Sequence, residues 1–182
     1  MPQHVAVILD GNRRWAAQKG LPVTVGHYAG WQKLRELVSF SMGVKVVSVF
    51  VFSTENWRRP KEEVDFLMKL FEHVLNADLD WYASKGVQAR VIGDISGLPK
   101  NLQVIIEKAE EVTKANSNFQ LICAIYYSGK YDITQACKSI VEKITDGLKE
   151  PEDINKDLFE QHSHQLHPVP QPRFTYPNKR GI

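Results

Sequence analysis

The segment HVAVILDGNRRW, residues 4–15, decides how this chain of 182 residues is read. Residues 5–9 form a short, continuous apolar run rich in β-branched side chains. That pattern fits a strand buried on both faces, as in a parallel sheet. The run stops at Asp10-Gly11-Asn12-Arg13-Arg14. Glycine permits a tight turn, the following amides point outward and the arginines add charge, which together suit a diphosphate at a helix start. Asp10 suits Mg²⁺, because this ion takes few protein carboxylates and shares the phosphates of its substrate. The same residues also fit a β-turn with solvated charges, and short motifs of this kind often match by chance.

Outward from this segment, strand and helix alternate. A short helix is expected over residues 14–19, and a loop containing Pro22 and Gly26 over 21–27. Trp31, Leu34, Leu37, Val38 and Met42 follow helical spacing up to Gly43. Residues 44–52 read as a second buried strand, ending in Ser53-Thr54-Glu55-Asn56-Trp57-Arg58-Arg59-Pro60. The longest helix is expected over 61–82. Its stripe of Val64, Leu67, Met68, Phe71, Leu75 and Leu79 is widened by Phe66, Leu70 and Val74. Such a broad face requires two packed neighbours, or one neighbour and an apolar ligand. Strands follow at 87–92 and 119–125, with a helix at 101–114 that turns Leu102, Ile105, Ile106, Ala109 and Val112 inward. Ile133 to Ile144 mark another helix, and a last one is expected over 153–160. This order predicts one α/β domain over residues 1–161, a parallel sheet with helices on both faces. Ligands of such sheets sit outside the carboxyl ends of the strands, where three polar clusters fall: at Asp10, at Ser53 and at Tyr126-Tyr127-Ser128. Residues 162–182 hold three of the six histidines and four of the nine prolines, without periodicity, and are expected to be irregular.

Composition narrows the function. A net charge of +2 does not indicate general nucleic-acid affinity, so any basic patch is local. Cys123 and Cys137 fall on apolar positions and read as two core thiols in a reduced compartment. No apolar run is long enough to span a bilayer. No signal or transit peptide is read before the first strand, which leaves a cytosolic protein or a presequence outside this sequence. The sequence carries no Ser-His-Asp triad, cysteine metal site or Walker loop. Ser53 to Arg59 offers anion-binding groups, but Pro60 with Glu62 and Glu63 is also an ordinary helix start. His27 after Gly26 is either an anion donor or a surface loop residue. The residues alone support an α/β domain that binds a phosphorylated ligand with Mg²⁺, and do not reach the reaction.

The same segments resemble the cis-prenyltransferases, the family of undecaprenyl and dehydrodolichyl diphosphate synthases. HVAVILDGNRRWA, GHYAG, VFVFSTENWRRPKEEVDFLM and AIYYSGKYDI are similar to the family's signatures, in order and at suitable spacing, and cover the chain from Pro2 to about Gln161. The STENWRRPKEEVDFL and YSGKYD variants resemble plant members most. The resemblance implies an isoprenoid-pathway transferase that condenses isopentenyl diphosphate with an allylic diphosphate. It implies Mg²⁺ at Asp10, catalytic roles for Asp10, His27, Asn56 and Arg59, and an allylic diphosphate site of Gly11, Asn12, Arg13, Arg14, Trp15, His27 and Arg59. It also implies a hydrocarbon tunnel along Trp31, Leu34, Val38, Phe66 and Leu70. A homodimer, a peripheral association with membrane through the lipid product, no nucleic acid, and a location in plastid, cytosol or at the endoplasmic reticulum surface belong to the same expectation. The alternatives are a non-catalytic partner or regulatory form of an intact synthase, and a phosphate-binding hydrolase of similar topology.

Several positions depart from the family pattern. Val23 stands where many bacterial members carry a phosphate-binding arginine, and Tyr126 and Ser128 replace residues of a commoner Asn-Tyr-Gly-Gly. Trp31 stands where bacterial long-chain enzymes have a small residue, and a bulky indole there favours a short product or a different acceptor. The family's next motif, Pro-Asp-Leu-Leu-Ile-Arg-Thr-Ser-Gly-Glu, which holds the isopentenyl diphosphate, is absent, so impaired turnover is expected. Codons permitted for Val169 to Ile182, read one base later, encode Cys-Pro-Asn-Pro-Asp-Leu-Leu-Ile-Arg-Thr-Ser-Gly-Glu. The tail therefore reads as a frame-shifted copy of that motif. Sequencing the transcript across this region should return codons that restore the motif in the shifted frame; synonymous codons incompatible with that frame would overturn the reading.

Overall fold

The computed structural model describes residues 2–40 and 43–163 of the chain. Four strands, β1 (His4–Ile8), β2 (Val46–Ser53), β3 (Val87–Ile92) and β4 (Phe119–Tyr127), form one sheet in the order β1-β2-β4-β3. All three pairings are parallel, with Ile8 beside Phe50, Val49 beside Cys123 and Val91 beside Cys123 across the sheet. The helices are α1 (Asn12–Gln18), α2 (Val23–Phe40), α3 (Lys61–Lys85), α4 (Lys100–Thr113), α5 (Gly129–Thr145) and α6 (Lys156–His162), with short 3₁₀ turns at Thr54–Arg58, Ile95–Gly97 and Pro151–Asp153. The α/β fold expected from the sequence is the observed one.

Strand alternation sorts the core onto two faces. On one face Val47, Val49 and Leu121 pack with Val38 of α2 and Tyr82 of α3. Further along, Phe52 and Ile125 pack with Val64, Leu67 and Met68 of α3 and with Leu102, Ile106 and Ala109 of α4. Val46, Ile122 and Ala124 of the sheet and Ala136 and Ile140 of α5 are also buried. The broad apolar face of α3 thus has α2 and α4 as neighbours, and part of it is left over for a cavity.

Several details differ from expectation. The segment 21–27 is not a loop: α2 begins at Val23, and Pro22 sits just ahead of it, accepting bonds from Val25 and Gly26. Proline at a helix start needs no N–H partner, so it opens this helix instead of breaking it. Gly26 is helical because α2 passes close to α1 here. A Cβ on Gly26 would meet Asn12 O at 2.3 Å, and one on Gly30 would meet the Asn12 side chain at 2.5 Å. In α4, Val112 points outward and Thr113 is the buried residue, accepting from Ala89 N at 3.0 Å and donating to Ala109 O at 2.7 Å. The last helix starts at Lys156, capped by Asn155, whose side chain accepts from Leu158 N at 2.9 Å. It runs to His162, within the segment expected to be irregular. Met42 and residues 164–182 of that segment lie outside the described residues.

Only one thiol matches its expected place. Cys123 lies on β4 in the core, where burial pushes its thiol up to about 12. Cys137 is exposed, because it follows the fully buried Ala136 by one residue and so points about 100° further round α5. A thiol alkylates as its thiolate. Iodoacetamide at mildly alkaline pH should therefore modify Cys137 and spare Cys123 in the folded protein, with both modified after denaturation; peptide mass mapping reads the difference.

Candidate active site

The carboxyl ends of β1 and β2 deliver two polar clusters to one opening. Past β1, Asp10 N donates to Ile8 O at 3.0 Å, and Gly11 takes a left-handed φ of 94° that only glycine adopts without strain. This turn aims the Asp10 carboxylate outward. Its Oδ1 accepts from Gly11 N at 2.6 Å and its Oδ2 from Arg14 at 2.9 Å, yet the side chain stays 76% exposed. Past β2, Ser53 N donates to Asn56 Oδ1 at 3.1 Å, which caps the turn Thr54–Arg58 and fixes where Arg59 leaves it.

Glu63 joins the two clusters. Its Oε1 stands 2.9 Å from His27 Nε2, 3.2 Å from an Arg59 guanidinium nitrogen and 3.8 Å from Arg13 Nε. Glu63 and His27 are both buried. One carboxylate oxygen therefore gathers basic side chains from α1, α2 and the α3 start. Arg13, Arg14 and Arg59 against Asp10 and Glu63 leave the opening one formal positive charge, before any contribution from His27. Sequence reading missed Glu63 because acids in a first helical turn already have an explanation. The signal was the spacing Arg59 to Glu63, four residues apart and on one face once α3 begins.

Below the opening lies a cavity of about 530 Å³ between α2, α3 and the sheet. Asp10, Gly11, Asn12, Arg13, Arg14, His27, Asn56 and Arg59 line its mouth, and Trp31, Leu34, Leu70, Phe71, Val74 and Leu121 line its depth. The structure thus brings together all of the expected residues except three. Trp15 is outside the lining, 40% exposed, with Lys19 Nζ 5.5 Å from its ring centre. Val38 is buried in the core beside Val47 and Val49 instead of facing the cavity. Phe66 lies on another side of α3, and Leu67, Phe71, Val74 and Leu75 do the lining there. His27 is a buried helical residue rather than a loop one.

The third polar cluster serves the scaffold. Tyr126 holds a left-handed φ of 54°, which costs a non-glycine residue about 1 kcal/mol or more. Its ring is wedged 5.6 Å from that of Trp57 and against Gly97, where a Cβ would come within 2.2 Å of it. Trp57 packs on Phe52 at 5.5 Å and is not in the cavity lining. Buried Asp132 accepts from Ser163 at 2.9 Å, and burial, then the neighbouring and hydrogen-bonded Asp132, push the Tyr127 hydroxyl up.

Metal fit is decided by Asp10. Among the described residues no group of three or more His, Cys, Asp or Glu side chains forms a metal cage. A single exposed carboxylate beside arginines fits a hard cation that arrives with phosphate oxygens and keeps waters, as Mg²⁺ does.

Known proteins resemble this chain in sequence and fold. The undecaprenyl diphosphate synthase profile, Prenyltransf, matches residues 8–174. The chain belongs to that family, the cis-prenyltransferases. It is 52% identical over 163 residues to the chloroplastic dehydrodolichyl diphosphate synthase CPT5 of Solanum lycopersicum, covering 88% of this chain and 52% of the relative. It is 51% identical over 172 residues to the chloroplastic nerylneryl diphosphate synthase CPT2 of the same plant, covering 93% and 54%. The crystal structure of lavandulyl diphosphate synthase from Lavandula x intermedia, in complex with dimethylallyl diphosphate, superposes with a TM-score of 0.85 at 38% identity, covering 88% of this chain and 70% of that one. This chain spans about half the length of the two tomato relatives.

Replacing Glu63 tests the geometry. Losing a partner of a buried charge-assisted bond costs about 1.5–3 kcal/mol. Glu63→Ala should lower the unfolding free energy by about that amount in urea titration and weaken inorganic diphosphate binding, because Arg59 and His27 lose their anchor. Binding unchanged in a folded Glu63→Ala protein would show that the anchor is not needed.

Proposed function

We propose that this cavity binds an allylic diphosphate and that the protein acts in cis-prenyl transfer. In that reaction the allylic C–O bond breaks and diphosphate leaves. A carbon–carbon bond forms to isopentenyl diphosphate, which loses a proton as the Z double bond forms. The observation that carries the reading is one continuous space with a cationic mouth and an apolar depth. A diphosphate head and a prenyl tail require that pairing.

The side chains divide the work by chemistry. Arg13, Arg14 and Arg59 stabilise charge that builds on the departing diphosphate, which is where preorganised donors contribute most. His27, held by Glu63, stands at the mouth beside the same anion. Asp10 would hold Mg²⁺ together with diphosphate oxygens, and the ion would supply Lewis-acid stabilisation of the leaving group. Asn56 caps the turn that carries Arg59 and stands at the mouth for the proton-transfer step. The apolar depth excludes water from the ionised allyl group, favouring carbon–carbon bond formation over hydrolysis. Plant isoprenoid synthesis in the plastid is the setting we infer, from the chloroplastic relatives. No helix among the described residues is long and apolar enough to cross a membrane.

Calorimetry with dimethylallyl diphosphate and Mg²⁺ should give a saturable isotherm, weakened at least roughly tenfold by Arg59→Ala, about 1.4 kcal/mol. Incubation with labelled isopentenyl diphosphate, alone and mixed with a full-length relative, then reads turnover. Product from the chain alone supports the enzyme. No product alone, but altered output from the mixture, supports the partner form. No binding of the allylic diphosphate overturns the proposal.

A further inference from the structure

Strand β4 is irregular where it runs beside the end of β2. Phe52 stands opposite Ile125 and Ser53 opposite Tyr127, so Tyr126 is an extra residue with no partner on β2. This is a β-bulge, and its φ of 54° is the left-handed conformation that a bulge ordinarily gives to glycine. A tyrosine held there is strained, and such strain persists only where the surroundings impose it.

The contacts that impose it lead toward the site. Tyr126 O accepts from Asp94 N at 3.2 Å, which ties the bulge to the turn after β3. Gly97 of that turn leaves room for the ring, since a Cβ there would stand 2.2 Å from Tyr126 Cε1. The Tyr126 ring meets that of Trp57 edge to face, with 5.6 Å between centres, and Trp57 meets Phe52 in the same manner at 5.5 Å. The Trp57 Nε1 is buried with no hydrogen-bond partner among the described residues, so ring packing and not a polar bond places this indole. Trp57 belongs to the turn Thr54–Arg58. Beside it, Asn56 closes that turn by accepting from Ser53 N through its side chain and from Arg59 N through its carbonyl oxygen, each at 3.1 Å. A short 3₁₀ turn has few bonds of its own. Where it holds Arg59 therefore depends on what holds Trp57.

We propose that Tyr126 is a positioning residue for Arg59: the bulge turns its ring onto Trp57, and Trp57 fixes the turn that presents Asn56 and Arg59 at the cavity mouth. The inference rests on the function proposed above and adds to it a residue from a third strand end. Tyr126 is outside the cavity lining, so it acts through Trp57 and not on the ligand. The backbone strain at Tyr126 is the cost of aiming a large ring where a glycine bulge would have none.

A double-mutant cycle tests this coupling. Dimethylallyl diphosphate with Mg²⁺ is titrated by calorimetry into the unmodified protein, Tyr126→Phe, Tyr126→Asn, Arg59→Ala and the double variant Tyr126→Asn with Arg59→Ala. Asparagine accepts the left-handed backbone but lacks the ring, whereas phenylalanine keeps the ring. Tyr126→Asn should bind roughly fivefold more weakly than the unmodified protein, and Tyr126→Phe within about twofold of it. Once Arg59 is alanine, Tyr126→Asn should weaken binding no further, because the group it positions is gone. A merely structural role would weaken binding alike in both backgrounds, and that result overturns the inference, as does unchanged binding in folded Tyr126→Asn. Should Tyr126→Asn misfold, Gly97→Ala crowds the same ring from the turn after β3 and is judged in the same two backgrounds by the same criteria. Either negative result leaves the function standing. Failure of the unmodified protein to bind the ligand overturns the function and, with it, this inference.

Discussion

The pairing of Glu63 with His27, Arg59 and Arg13 is the constraint on which the rest of the site depends. A carboxylate this buried has to be compensated, and a basic cluster this dense repels itself unless an anion is placed among its members. Each side solves the other's problem. The three bases come from three separate stretches of chain, so the same oxygen that neutralises them also fixes α1, α2 and the start of α3 relative to one another. The cationic surface at the opening is thus a by-product of tertiary packing. It is ordered before any ligand arrives, and its remaining positive charge faces the opening.

The parallel sheet explains why these stretches meet. Adjacent parallel strands end on the same edge, so the residues after β1 and β2 are neighbours whatever their distance in sequence. The glycines at 26 and 30 bring α2 against Asn12 with no intervening side chain. That contact brings His27 within reach of Glu63. A cationic mouth and an apolar depth conflict within a single helix face. Here they are divided along α2 and α3, with polar groups at the strand ends and leucines beyond.

Much of this was legible in the sequence, for reasons that also mark where legibility stops. Continuous β-branched runs ending in polar clusters gave the strands and the edge where ligand binds. The helical stripe of α3 was wide enough to announce either a second neighbour or a cavity, and it has both. What could not be read were angular details. One residue is 100° on a helix, so Cys137 and Val112 turned outward where their apolar character suggested the core. Phe66 and Val38 likewise fell on neighbouring faces, and Trp15 onto the surface. Pro22 and Gly26 are loop residues by composition, and only the close approach to α1 shows why they suit a helix. Glu63 was hidden because a local explanation, an acid near a helix start, was sufficient on its own.

A comparison within α3 suggests what kind of residue such reading overlooks. Glu63 and Asp78 are buried carboxylates on one helix, about 22 Å apart at 1.5 Å per residue. Each pairs with an arginine, Arg59 for one and Arg35 for the other, and the first also holds His27 at the cavity mouth. Between them the helix offers the cavity only apolar groups, Leu67, Leu70, Phe71, Val74 and Leu75. Beyond Asp78 the same helix lines the cavity again with Tyr82. Hydrophobicity alone makes a cavity of indefinite length, since apolar contacts are non-directional. Directional contacts come from buried charged pairs, and at the mouth Glu63 supplies them to His27 and Arg59.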